Sequence, residues 1–169
     1  MPTKPEVIVV MGSDSDWPLV KKAVETLAEF EIGCDVQVCS AHRTPEDACK
    51  LAAEAQKRGI KVIIAAAGGA AHLGGVLAAH TTLPVIGIPV KGGALNGLDA
   101  LLATLQMPSG IPVATVTLGS AGPINAAVLA AQMIALARPA LRRKLTAYKR
   151  GLKRKVAKGN KNVQRDLPA

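Results

Sequence analysis

The chain of 169 residues has the length of one domain with a buried core, and at 49% hydrophobic but 2% aromatic residues that core must be aliphatic. The net charge of +9 suggests a nucleic-acid binder only until it is located: 12 of the 21 Lys and Arg lie from Arg138 onward beside one acid, Asp166, so residues 1–137 carry 9 basic and 11 acidic side chains. No RNA-binding motif or aromatic stacking platform accompanies that basic end, and Cys34, Cys39 and Cys49 have the spacing of neither a disulfide framework nor a zinc site, so neither nucleic acid nor a metal is expected.

In chain order, short aliphatic runs at 7–11, 35–39, 61–66, 84–88 and 112–118 read as strands. Several are β-branched on both parities, as befits a sheet covered by helices on both faces. Segments of helical period fall at 17–30, 45–58, 71–80 and 98–105, and one long final helix is predicted from 123 to about 152. Pro18 and Pro45 lie near helix starts and Gly59 supplies a stop. Thr44-Pro-Glu-Asp47 has the form of a cap, with Thr44 at N-cap, Pro45 at N1 and an acid at N3.

This alternation predicts an α/β fold: a single-domain, three-layer sandwich around a doubly wound, flavodoxin-like parallel sheet of five strands in the order 2-1-3-4-5, with a long C-terminal helix. The domain is expected over 1–152, with 153–169 a basic, flexible tail. The longest apolar helical stretch, 124–137, carries Asn125 and Gln132 and is shorter than the ~20 residues a bilayer span takes. With no leader peptide visible in the first residues, a cytoplasmic protein without a membrane partner is expected.

Doubly wound sheets bind ligands outside the carboxyl ends of their strands, near the point where strand order reverses. The loop after the first strand, Gly12-Ser-Asp-Ser-Asp16, offers Ser13, Ser15 and Asp16 at a helix start, a setting suited to an anion such as phosphate. Capping alone would account for one or two of these residues. The loop after the second strand contains Ser40-Ala-His-Arg43, where Arg43 can present a bidentate fork and Ser40 a hydroxyl. His42 is of the residue type that gives and takes protons near neutral pH, although a plain loop histidine is the competing reading. After the third strand, Gly68 and Gly69 let a ligand lie against the backbone, while the Gly-x-Gly-x-x-Gly dinucleotide fingerprint is absent. His72 reads equally as a ligand contact or a packed helix residue, and His80 as surface or interface. The stretches 90–97 and 106–112 read as pocket wall.

Met11-Gly-Ser-Asp-Ser-Asp16, Ser40-Ala-His-Arg-Thr-Pro45, Ala67-Gly-Gly-Ala-Ala-His-Leu73 and Gln106-Met-Pro-Ser-Gly-Ile-Pro112 together resemble the PurE family of purine biosynthesis, over roughly residues 5–150. The third motif resembles the class I branch, the N5-carboxyaminoimidazole ribonucleotide mutases, rather than the class II carboxylases that use aminoimidazole ribonucleotide and CO2. The resemblance implies an isomerase with a small phosphoribosyl aminoimidazole substrate, no cofactor and no metal, and a homo-octameric assembly. It places His42 at the catalytic position. Ser13, Ser15, Asp16, Ser40, Arg43, Ala67, Gly68, Gly69, His72 and Leu73 would bind substrate. The chain departs from the family's usual proline at Gly74 and from its usual pair at Lys91-Gly92, both beside the pocket. The alternatives are a class II carboxylase and, more remotely, a non-catalytic nucleotide-binding or flavin-binding module, for which Trp17 is the one stacking candidate near the loops.

Overall fold

The computed structural model describes residues 4–168. The elements run β1 (Val7–Met11), a 3-10 turn (Asp14–Asp16), α1 (Trp17–Glu29), β2 (Cys34–Val38), α2 (Pro45–Ala55), β3 (Val62–Gly68), α3 (Leu73–Ala79), β4 (Val85–Val90), α4 (Leu98–Leu105), β5 (Ala114–Thr115), α5 (Ala121–Ala135) and α6 (Pro139–Arg165). The sheet has the predicted order β2-β1-β3-β4-β5 and every pairing is parallel.

Side-chain alternation in the central strands divides the core into two layers. Val7, Val9 and Met11 of β1, with Ile64 and Ala66 of β3, pack under α1, α5 and the start of α6. Ile8 and Val10, with Ile63 and Ala65, pack under α2 and α3 against Ala48, Leu51, Ala52, Leu73 and Leu77. All five residues of β1 are buried, which explains why its sequence is apolar on both parities. Packing is close at Gly87 in β4, where a Cβ would come within 2.4 Å of Thr104 Cγ2 on α4.

Three local expectations differ from what forms. The predicted fifth strand shrinks to Ala114–Thr115, paired with Ile86 and Gly87. Pro112 has no N–H to extend the ladder, and the Thr115 hydroxyl donates to the Thr104 and Val113 carbonyls. The long final helix is two helices, because Pro139 forces Arg138 into extended backbone with φ −132° and ψ 91°. The second of them continues through Arg165, so residue 152 ends no helix; it marks instead where burial stops, since residues 152–168 are exposed throughout.

The register positions the site. Met11 of β1 sits beside Val38 of β2 on one side and Ala66 of β3 on the other. β1 and β2 therefore end level and β3 runs two residues further, so the loops that follow them open side by side at one edge of the sheet.

Candidate active site

Those three loops enclose a cavity of about 400 Å³, lined by Gly12, Ser13 and Asp16 from the first, Ser40 to Arg43 from the second, and Ala67, Gly68 and Ala71 to Leu73 from the third. Of the residues singled out in the sequence, His42, Ser13, Asp16, Ser40, Arg43, Ala67, Gly68, His72 and Leu73 meet there, while Ser15 and Gly69 do not line the wall. Ala41 and Ala71, like Gly12, are lining residues that sequence reasoning missed. An alanine carries no chemical signal, and both are placed by the backbone around them.

In the first loop, the Ser13 hydroxyl accepts from the Ser15 backbone N–H at 3.3 Å and from the Ser15 hydroxyl at 2.9 Å, capping the 3-10 turn. Asp16 occupies the N-cap position of α1 but makes no side-chain cap bond. Burial raises its carboxyl above the ordinary value and the Asp14 charge adds to this, while the Ser15 hydroxyl works the other way. The Asp16 carboxylate is thus under-solvated and can gain from a polar ligand that donates hydrogen bonds to it.

The second loop is held mainly by its own hydroxyls. Ser40 Oγ accepts from the His42 N–H at 3.4 Å, from the Arg43 N–H at 3.2 Å and from Arg43 Nε at 3.4 Å. Thr44 stands at the N-cap of α2 as predicted, yet its side chain does not cap. Its hydroxyl instead accepts from the Ser40 N–H at 3.0 Å and donates to the Ser40 carbonyl at 3.2 Å, closing the loop that presents His42. Arg43 Nη2 donates to the Gly12 carbonyl at 2.9 Å and so ties the second loop to the first. Among the described residues its Nη1 has no partner, which leaves one edge of the guanidinium for an anion.

The third loop turns sharply. Gly68 ends β3 against the Val90 carbonyl, where a Cβ would come within 3.3 Å. Gly69 and then Ala71 take left-handed backbone, with φ 59° and φ 48°. A left-handed alanine costs ~1 kcal/mol or more, and this one is buried, so the surrounding structure imposes it. The turn delivers His72 to the start of α3 and brings its Nδ1 to 2.8 Å from His42 Nε2. The two rings meet edge to face, with centroids 4.9 Å apart. His80 lies outside the cavity, its Nδ1 at 2.8 Å from the Val76 carbonyl.

The arrangement gathers an acid–base imidazole, a partly free guanidinium, two small-residue loops and an under-solvated carboxylate around a space of nucleotide size. Comparison with known proteins agrees along most of the chain. The family model described as AIR carboxylase matches residues 6–155. A protein of Mycobacterium tuberculosis named N5-carboxyaminoimidazole ribonucleotide mutase is 53% identical over 162 residues, covering 96% of this chain and 92% of its own length. One of the same name from Pyrococcus horikoshii is 52% identical, with 95% and 90% covered. Among solved structures, Treponema denticola PurE superposes with a TM-score of 0.84 at 29% identity, covering 94% of this chain and 98% of that one. Sequence, fold and cavity thus converge, and the chain belongs to the AIR carboxylase family.

Proposed function

We propose that this protein is an N5-carboxyaminoimidazole ribonucleotide mutase of purine biosynthesis, an isomerase that moves a carboxylate from the exocyclic nitrogen of the imidazole to ring carbon C4. The observation that carries this reading is the meeting of His42, Arg43, Ser13, Asp16 and the Ala67–Leu73 motif in one cavity. The curated relatives of this name at 52–53% identity support the class I branch over the carboxylases.

Arg43 takes the substrate phosphate on its free edge, with the Ser13 and Ser40 hydroxyls beside it. Asp16 accepts from the ribose hydroxyls, which replaces solvation that burial has removed. Ser15 acts through Ser13, whose hydroxyl it holds. Ala67, Gly68 and Leu73 line the space where the ring and CO2 lie, while Gly69 shapes that wall through its left-handed turn. Small apolar walls there favour retention of CO2 beside the ring by excluding water.

Loss of CO2 leaves the exocyclic nitrogen one proton short. Carboxylation at C4 then leaves that carbon with a proton to lose. A single acid–base group that begins and ends protonated serves both steps, and His42 is placed for that role. The aminoimidazole is itself the carbon nucleophile, so the shift asks for no organic cofactor.

In the same reading the protein works in the cytoplasm as a homo-oligomer, an octamer by family resemblance, with residues 1–152 as the catalytic domain and 153–169 outside it. Exposed apolar side chains at Trp17, Val36 and Val38, and along α4 at Leu98, Leu102 and Leu105, support subunit contacts.

The test is His42→Asn. The variant is expected to keep the fold by circular dichroism and to bind the nucleotide, with turnover reduced ~10²-fold or more. A near-normal rate would remove His42 from the proposed role.

A further inference from the structure

Some cations at the start of α6 serve the fold. Arg138 pairs with Glu6, Lys144 pairs with Glu31, and Arg142 Nη2 donates to the Leu136 carbonyl at 3.3 Å. A second set does not. Arg143, Arg150, Arg154, Lys158, Lys161 and Arg165 are all exposed, and among the described residues none of them pairs with a carboxylate. Arg165 bonds only within its own helix, to the Lys161 carbonyl and the Asn162 side chain.

These six follow one another at steps of seven, four, four, three and four along the unbroken helix Pro139–Arg165. At ~100° per residue they fall within an arc of about 80° and form one stripe about 33 Å long. The opposite face carries Leu141, Leu145, Leu152, Val156 and Val163. Leu141 and Leu145 are buried in the core, so docking of the first turns aims the basic stripe away from the body. Lys158, Lys161 and Arg165 lie beyond residue 155, where the match to the family model ends.

The chemistry of the stripe selects its partner. It holds no aromatic side chain to stack on unpaired bases, and Asn160, Asn162 and Gln164, which could read base edges, lie outside its arc. What it offers is regularly spaced positive charge, the complement of a regular polyanion. An anionic lipid surface fits worse. With the apolar face laid into a bilayer, the cations of the opposite face would point at water rather than at headgroups. A helix about 10–12 Å across also matches the ~12 Å width of a duplex major groove. The lack of an RNA-binding motif bears on the reading of bases and leaves contact to phosphates open.

We propose that the outer face of α6 is a sequence-independent docking surface for the phosphate backbone of a nucleic-acid duplex. The surface lies outside the catalytic cavity, whose wall contains no residue of α6. Docking therefore adds a tether to the enzyme without entering its chemistry.

Fluorescence anisotropy with the full-length protein tests this, using a labelled 30-base-pair DNA duplex, an RNA duplex of the same length and an unpaired strand as probes. Comparison of the two duplexes distinguishes the source of the phosphates, and at least one duplex should bind more tightly than the unpaired strand. Its affinity should fall about 10³-fold between 50 and 200 mM salt, as expected for about six phosphate contacts. The triple variant Arg154→Gln, Lys158→Gln, Lys161→Gln keeps helix-forming residues, and circular dichroism should match wild type. Its salt slope should drop by about three and its affinity at 50 mM salt by about tenfold or more. The control Lys149→Gln, Lys153→Gln, Lys155→Gln removes as many charges outside the stripe and should lose less than half as much. Equal loss in the two triple variants would overturn the proposal, because total charge rather than the stripe would then be responsible. So would absence of duplex binding at 50 mM salt, or tighter binding to phosphatidylserine vesicles or poly-glutamate than to either duplex.

Discussion

Glu6, at the threshold of β1, shows how single side chains tie the edges of this fold together. Its side chain is 17% exposed and pairs with both Arg138, just before α6, and Lys61, just before β3. Burial alone would raise its carboxyl, but the hydrogen bonds and charges of Arg138 and Lys61 outweigh that and hold it below the ordinary 4.5. Asp35 shows the same balance with Arg58 and Gln37. A carboxylate depressed by folding contributes stability that is complete above its unfolded value and is lost as pH falls through its folded value. Asp16, raised by burial, contributes with the opposite sign. Urea denaturation of wild type and Glu6→Gln at a series of pH values separates these terms. At neutral pH the variant should be less stable by about 1–2 kcal/mol, and the gap should close as pH drops below 4.5 and Glu6 is protonated. A gap that stays constant with pH would show that the carboxylate charge is not what matters.

Among the elements, α6 is the one whose halves have different jobs. Its first turns bury Leu141 and Leu145, and Tyr148 meets Phe30 edge to face with ring centroids 5.4 Å apart. Beyond Gly151 every described residue is exposed, although Leu152, Val156 and Val163 continue an apolar stripe at helical spacing. Truncation after Gly151 should therefore shift the thermal midpoint by less than ~2 °C and leave kcat unchanged, because no buried contact in the chain is removed. A loss of more than ~5 °C would show that the far half of α6 packs against something, and a neighbouring subunit would be the first place to look. The sequence concealed the far half of this helix for a physical reason. Its density of Lys and Arg reads as a solvated arm, yet both are good helix formers and propagate a helix that is already nucleated on the core. The break before it went unread although Pro139 carries a signal for it, because the Ala-rich stretch before it and the Leu, Lys and Arg after it all favour helix and masked the boundary.

At the level of the whole molecule, the sheet order and the assignment of loops to one edge followed from the alternation of strands and helices, because doubly wound topology leaves few choices. Residue types with their own chemistry, such as His42, Arg43 and Asp16, could be picked out from their loops. What could not be read was how the loops grip one another. Arg43 reaches the Gly12 carbonyl across 31 positions of sequence, and His42 reaches His72 across 30. Thr44 looked like a cap because its spacing fits one, but backbone at φ −139° and ψ 57° turns its hydroxyl back to Ser40. The left-handed state of Ala71 leaves no trace in composition either, since alanine is a poor residue for it.

The central claim, a mutase rather than a carboxylase or a binding module, is tested most directly by a two-substrate assay. Purified protein is offered N5-carboxyaminoimidazole ribonucleotide in one arm and aminoimidazole ribonucleotide with bicarbonate in the other, and formation of the C4-carboxylated product is followed. The mutase account predicts efficient turnover in the first arm, and in the second only slow product at high bicarbonate. Efficient turnover confined to the second arm, or none in either, would contradict it.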